Sequence, residues 1–305
     1  MPLRIATFNL KDFILPRTSS EQGIVEAKVA RVAAELARAR ADVVALQEVG
    51  AKEHLDRLVT GELADLGYGV AVMGPRDGRG IGCAILSRLP VLWSQVHMRP
   101  WLSFPVFCEG DPEPFGRRIP LRRGVVHVRV ESSELGEADV MTAHFKSHLG
   151  SKLRAKDGRE IEDDSPAGRG QAMLRSFVQR AAEALFVRGL VDDIFRALPD
   201  HSVCVLGDLN DRADSMPVRI VRGEGMLESG HLRACAELLP EERRFSCFYA
   251  GTPILIDHVL ASERLFRHVR SFDIYNEKLR YHGPHVDNAP LTEDSDHALC
   301  IAEFG

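Results

Sequence analysis

Residues 203–212 read VCVLGDLNDR, an apolar run through Val203, Val205 and Leu206 that ends abruptly in Asp208, Asn210 and Asp211. Gly, Asp and Asn build ordinary turns, so the stretch alone allows two readings: a strand ending in a turn, or a strand ending in a site. Side chains alternate across a strand, which puts Asp208 and Asn210 on one side and Leu209 on the other. Asp211 and Arg212 lie beyond that pair and are expected only to shape the turn. Which reading holds depends on how the other strands end.

They end in the same way. RIATFN (4–9) stops at Asn9, VVALQE (43–48) stops at Glu48, and DVMTAHFKS (139–147) reaches His144 and Lys146. PILIDHVL (253–260) carries Asp257, and EDSDHALC (293–300) brings Asp296 and His297. Taken singly, each has an ordinary reading: Asn9 as a cap, Glu48 as a solvated strand end, His144 as a half-buried histidine, Lys146 as a surface charge. Asp257 resists this treatment. It sits among Ile254, Leu255, Ile256, Val259 and Leu260, where an ionised carboxylate is costly unless paired, and His297 offers the partner.

The strands that carry these residues set the architecture. Segments 3–9, 42–49, 68–74, 80–87, 91–98, 124–131 and 138–145 read as strands, as do 202–207, 245–249, 254–261, 267–275 and 297–304. DVVALQEV (42–49) is apolar on both faces and predicts a strand buried on both sides. Helices are expected over 21–40, on the stripe Val25, Val29, Val32 and Leu36, and over 168–188, on Leu174, Phe177, Val178, Ala181, Leu185 and Phe186. Many strands with few helices interspersed predict two stacked sheets covered by helices, in one domain spanning 1–305.

Composition narrows the class. The 305 residues are 45% hydrophobic and 27% charged, the usage of a folded globular chain, with no run of apolar residues suited to a membrane span. The N-terminus has no signal-peptide pattern, and six scattered cysteines without a CxxC pair read as buried thiols, so a cytoplasmic address is expected. The net charge of −5 excludes a generally basic nucleic-acid-binding surface and makes any phosphate binding local. Two polar segments exceed ordinary turns: 99–121, aromatic and proline-rich and suited to a lid, and 147–170, which carries Lys152, Arg154, Lys156 and Arg159 beside the acids Glu160, Glu162, Asp163 and Asp164. The stretch YHGPHVDN (281–288), with His282, His285 and Asp287, is either a rim to the site or an exposed turn; His148 is likewise left without a role.

The ordered set TFNL (7–10), LQEV (46–49), HFKS (144–147), LGDLND (206–211), LIDHVL (255–260) and SDHALC (295–300) resembles the endonuclease/exonuclease/phosphatase superfamily of deoxyribonuclease I-like, metal-dependent phosphoesterases. The resemblance implies an α/β four-layer αββα sandwich of two packed, mostly antiparallel sheets flanked by helices, with the site at one end of the sheets. It implies Glu48 as principal Mg²⁺ ligand, with Asn9 and Asp296 near the metal and Mn²⁺ able to substitute. Asp208 then resembles the residue that orients or deprotonates the attacking water, and Asn210 the amide that steadies phosphoryl oxygens. His297, held by Asp257, resembles the histidine that bonds the scissile phosphate; His144 takes the place of a second phosphate-contacting histidine, with Lys146 beside it. FGRRIPL (115–121) resembles the family's aromatic-Arg-Pro-Leu segment and marks Arg117 and Arg118 as substrate contacts. GDLNDR matches part of the inositol polyphosphate 5-phosphatase pattern, but LIDHVL lacks the Cys-Asp-Arg stretch of those enzymes; secreted sphingomyelinases share the catalytic set but carry an export signal.

These features predict a phosphodiesterase that uses water and Mg²⁺, with nucleic acid as the leading substrate and no obligate protein partner. The alternative is a phosphatase or phosphodiesterase acting on a small molecule or lipid headgroup. A non-catalytic scaffold is the remote third reading, because clustered and buried carboxylates cost stability that a scaffold has no reason to give up.

Overall fold

The computed structural model describes residues 2–223, 230–281, 283 and 290–305; His282, His285 and Asp287 fall outside them. The chain opens with β1 (Leu3–Phe13), α1 (Gln22–Ala39), β2 (Val43–Val49), α2 (Lys52–Thr60), β3 (Val70–Met73) and β4 (Gly82–Ser87). It continues through β5 (Val91–His97), β6 (Val125–Ser132), β7 (Gly136–Thr142), a short hairpin β8 (Leu153–Arg154) and β9 (Glu160–Ile161), and the long α3 (Pro166–Ala197). There follow β10 (Ser202–Asp208), α4 (Met216–Arg222), β11 (Leu232–Ala234), a hairpin β12 (Cys247–Tyr249) and β13 (Thr252–Ile254), β14 (Asp257–Ser262), α5 (Glu263–Phe266), β15 (Val269–Ile274) and β16 (Cys300–Phe304).

Two six-stranded sheets result, ordered β15-β16-β1-β2-β4-β3 and β11-β14-β10-β7-β6-β5. Each contains one parallel pair, β1 with β2 and β10 with β7; the other pairings are antiparallel. Strand alternation explains the layers. Leu3 and Ile5 of β1 meet Val126, Val128, Cys204 and Leu206 between the sheets, whereas Ala6, Phe8 and Leu10 turn outward onto Val29, Val32 and Leu36 of α1. Val203 and Val205 of β10 face the other way, onto Val187 and Val191 of α3. The order of layers is therefore helix, sheet, sheet, helix, as the sequence pattern predicts.

β2 is buried at every position, in line with its unbroken apolar run. The strand expected over 254–261 is divided, so that Asp257 opens β14 instead of sitting inside a strand. α3 departs further from expectation. It runs to Ala197, nine residues beyond the predicted end, and Leu174, Phe177 and Leu185 of the predicted apolar face are exposed. Its buried face instead carries Gln179, Arg180 and Glu183 along with Ala184, Val187 and Val191. These polar groups are tolerated because each is paired: Arg180 Nε donates to Asp211 Oδ2 at 3.0 Å, and Glu183 accepts from the Lys146 amide at 2.7 Å and from Gln179 Nε2 at 2.9 Å.

The aromatic segment 99–121 is no lid in this structure. Leu102, Ile119 and Leu121 pack against Ala182, Val178 and Phe186 of α3, with Phe104 edge-on to Phe115 at a centroid distance of 5.0 Å. Gln179 of α3 donates to the carbonyl of Pro120 at 2.8 Å, which fixes where the chain leaves the segment and turns into β6.

Candidate active site

Four strands bring residues to one end of the sandwich: β1, which runs on to Phe13 past the expected end, with Asn9 at its register shift, β2 with Glu48, β7 just before His144, and β10 with Asp208. β14 starts there, with Asp257 opposite Asp208 in the ladder. The cleft between them encloses about 670 Å³ and is lined by Asn9, Glu48, His144, Lys146, Asp208, Asn210, Asp296 and His297, with Asp257 behind it.

Local backbone geometry aims these groups. The ideal Cβ of Gly207, with φ +136°, would stand 2.1 Å from the carbonyl oxygen of Ala143, so only glycine lets β10 approach β7 this closely just before Asp208. Glu48 and Asn210 both occupy the left-handed region, at φ 59° and 52°. Such strain in non-glycine residues is held where the surrounding structure fixes it and often marks a functional site. β1 shifts register between Asn9 and Phe13, and there the amide of Asp12 donates to Glu48 Oε2 at 2.9 Å.

Asp208 is the hub. Its Oδ2 accepts from Asn9 Nδ2 at 2.9 Å and its Oδ1 from the Asn210 amide at 2.9 Å, while His144 Nε2 lies 3.4 Å from Oδ2. The side-chain amide of Asn210 donates to the carbonyl of Phe145 at 3.0 Å, tying the strand end to the neighbouring loop. Burial, and then the adjacent charge of Asp257, push the Asp208 carboxyl up to about 7, against an ordinary value near 4.

Behind it, Asp257 is fully buried; its Oδ2 accepts from Ser246 Oγ at 2.6 Å and lies 2.7 Å from His297 Nδ1. Burial works against a charge on His297, but Asp257 next to it, and Asp208 beyond, outweigh that and lift the imidazole to about 10. With Nδ1 committed to Asp257, Nε2 is the nitrogen left for a ligand.

Across the cleft, Glu48 Oε1 accepts from Arg79 at 2.9 Å. Burial opposes its charge, yet Arg79, the Asp12 amide and Arg123 together hold its pKa below the ordinary carboxylate value. His144 is of a different kind from His297. Burial, then the charges of Arg123 and Arg79, drive its pKa well down, and Arg123 lies 3.0 Å from its Nδ1. It is a neutral ring that accepts from a guanidinium, not a second imidazolium.

The donor set suits a hard divalent cation: carboxylate oxygens of Glu48, Asp208 and Asp296 and the amide oxygen of Asn9, all lining one cleft. At its floor, among the described residues, nothing hydrogen-bonds the buried Oδ1 of Asp257, and burial raises the Asp208 carboxyl above its ordinary value. Asp208, Asp257 and His297 bring ligand atoms within 4.8 Å of one another, but His297 and Asp257 are engaged with each other; Glu48 is held by Arg79 and the Asp12 amide and Asp208 by Asn9 and the Asn210 amide, so an ion would share these oxygens with their partners. Lys11 Nζ is 2.8 Å from Asp296 Oδ2, so that carboxylate has a cation of its own.

Several basic residues are placed differently from expectation. Arg118 and Arg117 are exposed and do not line the cleft; Arg122 and Arg123, four or five positions on, do, together with Arg79. The sequence signal for them was present in LRRG (121–124), directly before β6, but FGRRIPL competed with it. Lys146 lines the cleft while its Nζ donates to the carbonyl of Leu149 at 2.8 Å; burial and then the nearby arginines Arg122 and Arg123 lower it to about 8. In the hairpin segment Lys152 lies 3.0 Å from Glu162, and Arg159 lies 2.7 Å from Asp157, so much of that segment's basic charge is balanced internally. Asp211, expected only to shape a turn, is buried; its ion pair with Arg180 braces the loop at Lys146 and Ser147, whose carbonyls Arg180 also holds at 3.3 and 3.1 Å.

Comparison with known proteins places this geometry. The fold matches TDP2 of D. rerio complexed with single strand DNA product, at TM-score 0.60 and 16% identity over 100% of this chain and 99% of that one. It matches an AP endonuclease from Archaeoglobus fulgidus at TM-score 0.56 and 15% identity, covering 99% of both chains. The human Nocturnin catalytic domain with bound sulfate anion aligns at TM-score 0.61 and 15% identity over 100% of this chain and 94% of that one. At these identities the likeness is one of fold. No curated protein matches the chain at a significant level. The model of the endonuclease/exonuclease/phosphatase family matches residues 6–297, and the chain belongs to that family of phosphoester hydrolases.

Proposed function

We propose that the chain, acting as one domain over 1–305, is a Mg²⁺-dependent phosphodiesterase that cleaves nucleic acid by in-line attack of water. The observation that carries this reading is the buried Asp257–His297 pair standing beside Asp208, with Glu48 on the opposite wall of the same cleft. Glu48, with Asn9 and Asp296 near it, would hold the cation; when bound it supplies Lewis-acid polarisation of a phosphoryl oxygen, and its charge favours the ionised form of Asp208. Asp208, once ionised and oriented by Asn9 and the Asn210 amide, takes the proton of the attacking water. Asn210 donates to a phosphoryl oxygen. His297, an imidazolium at neutral pH, offers Nε2–H to the charge that grows on the phosphate, and Asp257 fixes its orientation through Nδ1.

Three arginines, Arg79, Arg122 and Arg123, would meet the phosphate backbone, and Tyr249, 55% exposed on the rim beside His148, offers a face to a base. Incubation of single- and double-stranded DNA and RNA with the protein and Mg²⁺ or Mn²⁺ tests this reading; no cleavage of any of them contradicts it. A second reading, hydrolysis of a small-molecule or lipid-headgroup phosphate, is favoured by one observation: much of the basic charge of the hairpin segment is balanced by its own acids, which limits the footprint for a long polyanion. Turnover of nucleotide, inositol or phospholipid esters without nuclease activity would select it. All six cysteines are unpaired, and among the described residues no helix is long and apolar enough to cross a membrane; the free thiols fit a reducing compartment, and we assign the chain to the cytoplasm.

A further inference from the structure

Away from the cleft, on the helix-facing side of the second sheet, the edge strand β5 and its neighbour β6 bring two imidazoles together. His97 Nε2 and His127 Nδ1 are 3.1 Å apart, and Trp93 stands edge-on to His127 at a centroid distance of 4.8 Å. The other nitrogen of His127, Nε2, lies 2.8 Å from Oδ1 of Asp139, a carboxylate with 0% exposure. Arg129 donates to the second oxygen of Asp139 at 2.7 Å, and His201 Nε2 lies 2.8 Å from that same oxygen.

This is the arrangement found behind metal-ligating histidines. A carboxylate that accepts the Nε2–H of an imidazole fixes its tautomer and orientation and leaves a lone pair on Nδ1. His97 presents a second ring, whose Nε2 faces that lone pair at 3.1 Å. Two imidazole nitrogens on a tetrahedral Zn²⁺, each at about 2.0–2.1 Å, stand about 3.3 Å apart, close to the observed separation, and the rings would turn so that both lone pairs converge on the ion instead of on each other. A cavity of about 560 Å³ adjoins the rings and leaves room for water ligands; Glu137 and Asp193 on its wall are paired with Arg129 and Arg196.

We propose that His97 Nε2 and His127 Nδ1 form a binding site for a borderline transition-metal ion, Zn²⁺ foremost, completed by water. On binding, the hydrogen shared between the two nitrogens is given up: in the neutral pair it leaves His97 Nε2 while Nδ1 of the same ring takes one from solvent, so no net charge is lost. The site uses nitrogen ligands and shares no residue with the oxygen-rich cleft, so the two select different ions. It does not rest on the phosphodiesterase reading.

The test is calorimetric titration of Zn²⁺ in excess Mg²⁺, which occupies hard oxygen sites, into wild type, His97→Gln and Glu48→Gln. One equivalent taken up by wild type and by Glu48→Gln, and weakened at least about tenfold in His97→Gln, supports the site. Equal Zn²⁺ uptake by all three proteins, or none by wild type, overturns it. Should His97→Gln fail to fold, anomalous diffraction from wild-type crystals soaked in Zn²⁺ decides: a peak bonded to both nitrogens supports the site, and none there overturns it.

Discussion

His297 Nδ1 lies 2.7 Å from Oδ2 of Asp257, the one oxygen of that buried carboxylate to be hydrogen-bonded among the described residues. The pair sets the charge state of the cleft. Because Asp257 lifts the imidazole to about 10, His297 stays cationic through neutral pH. Its contribution to stability is complete below the unfolded histidine value of about 6.5 and is lost as pH rises towards 10. In Asp257→Asn the imidazole loses its counter-charge, so the alkaline fall in kcat should move down by at least one pH unit or so. A pH–rate profile of the variant that coincides with wild type would contradict this assignment.

Asp208 behaves in the opposite sense. Its carboxyl is pushed up to about 7 by burial and by Asp257, so in the metal-free protein its charged form weakens the fold increasingly as pH rises from about 4 towards 7. Asp208→Asn should therefore raise the metal-free Tm at pH 8 while lowering kcat by about 10²–10⁴-fold. Thermal melts with and without EDTA check the first part. A lowered Tm together with lost activity would point to a structural role alone.

Cation binding at Glu48 should compete with the proton on the neighbouring Asp208 carboxylate. Mg²⁺ affinity is expected to increase between about pH 6 and 8 as Asp208 ionises, and to fall in Glu48→Gln at any pH in that range. Calorimetric titration of Mg²⁺ at the two ends of this range measures both. A pH-independent affinity would place the ion away from Asp208.

Arg123 and Arg118 separate the observed site from the expected one. Arg123 is buried against His144 and donates to the carbonyl of Phe145 at 3.1 Å, whereas Arg118 is exposed. Arg123→Lys, which keeps the charge but loses the guanidinium fork, should lower kcat/KM by at least about tenfold. Arg118→Ala should leave it within about twofold of wild type, since surface changes remote from a site have small effects. Steady-state kinetics on one chromogenic phosphodiester compares them directly.

The residues legible in the sequence are those whose burial or polarity clashes with their own strand. Asn9, Glu48, Asp208 and Asp257 break apolar runs within a few residues; each alone except Asp257 has an ordinary reading, but their repetition strand after strand marks the set, and the fold brings all four to one end of the sandwich. The arginines were not legible in this way. Which of Arg117, Arg118, Arg122 and Arg123 enters the cleft depends on how segment 99–121 docks on α3, a packing event between residues such as Leu102 and Ala182 that lie far apart in the chain. The buried face of α3 was misread for a similar reason. Arg180 and Glu183 look like solvent residues until their partners Asp211 and Lys146, 31 and 37 positions away, are in place. The seven residues of α4 carry too little periodicity to show a helix.

The most direct test of the phosphodiesterase reading is the rate of hydrolysis of bis(p-nitrophenyl) phosphate in Mg²⁺ by wild type, Asp208→Asn and His297→Gln, each shown by circular dichroism to be folded. Wild type should turn the diester over, and each variant should lose about 10²-fold or more in kcat. Folded variants that hydrolyse it at the wild-type rate would contradict the account.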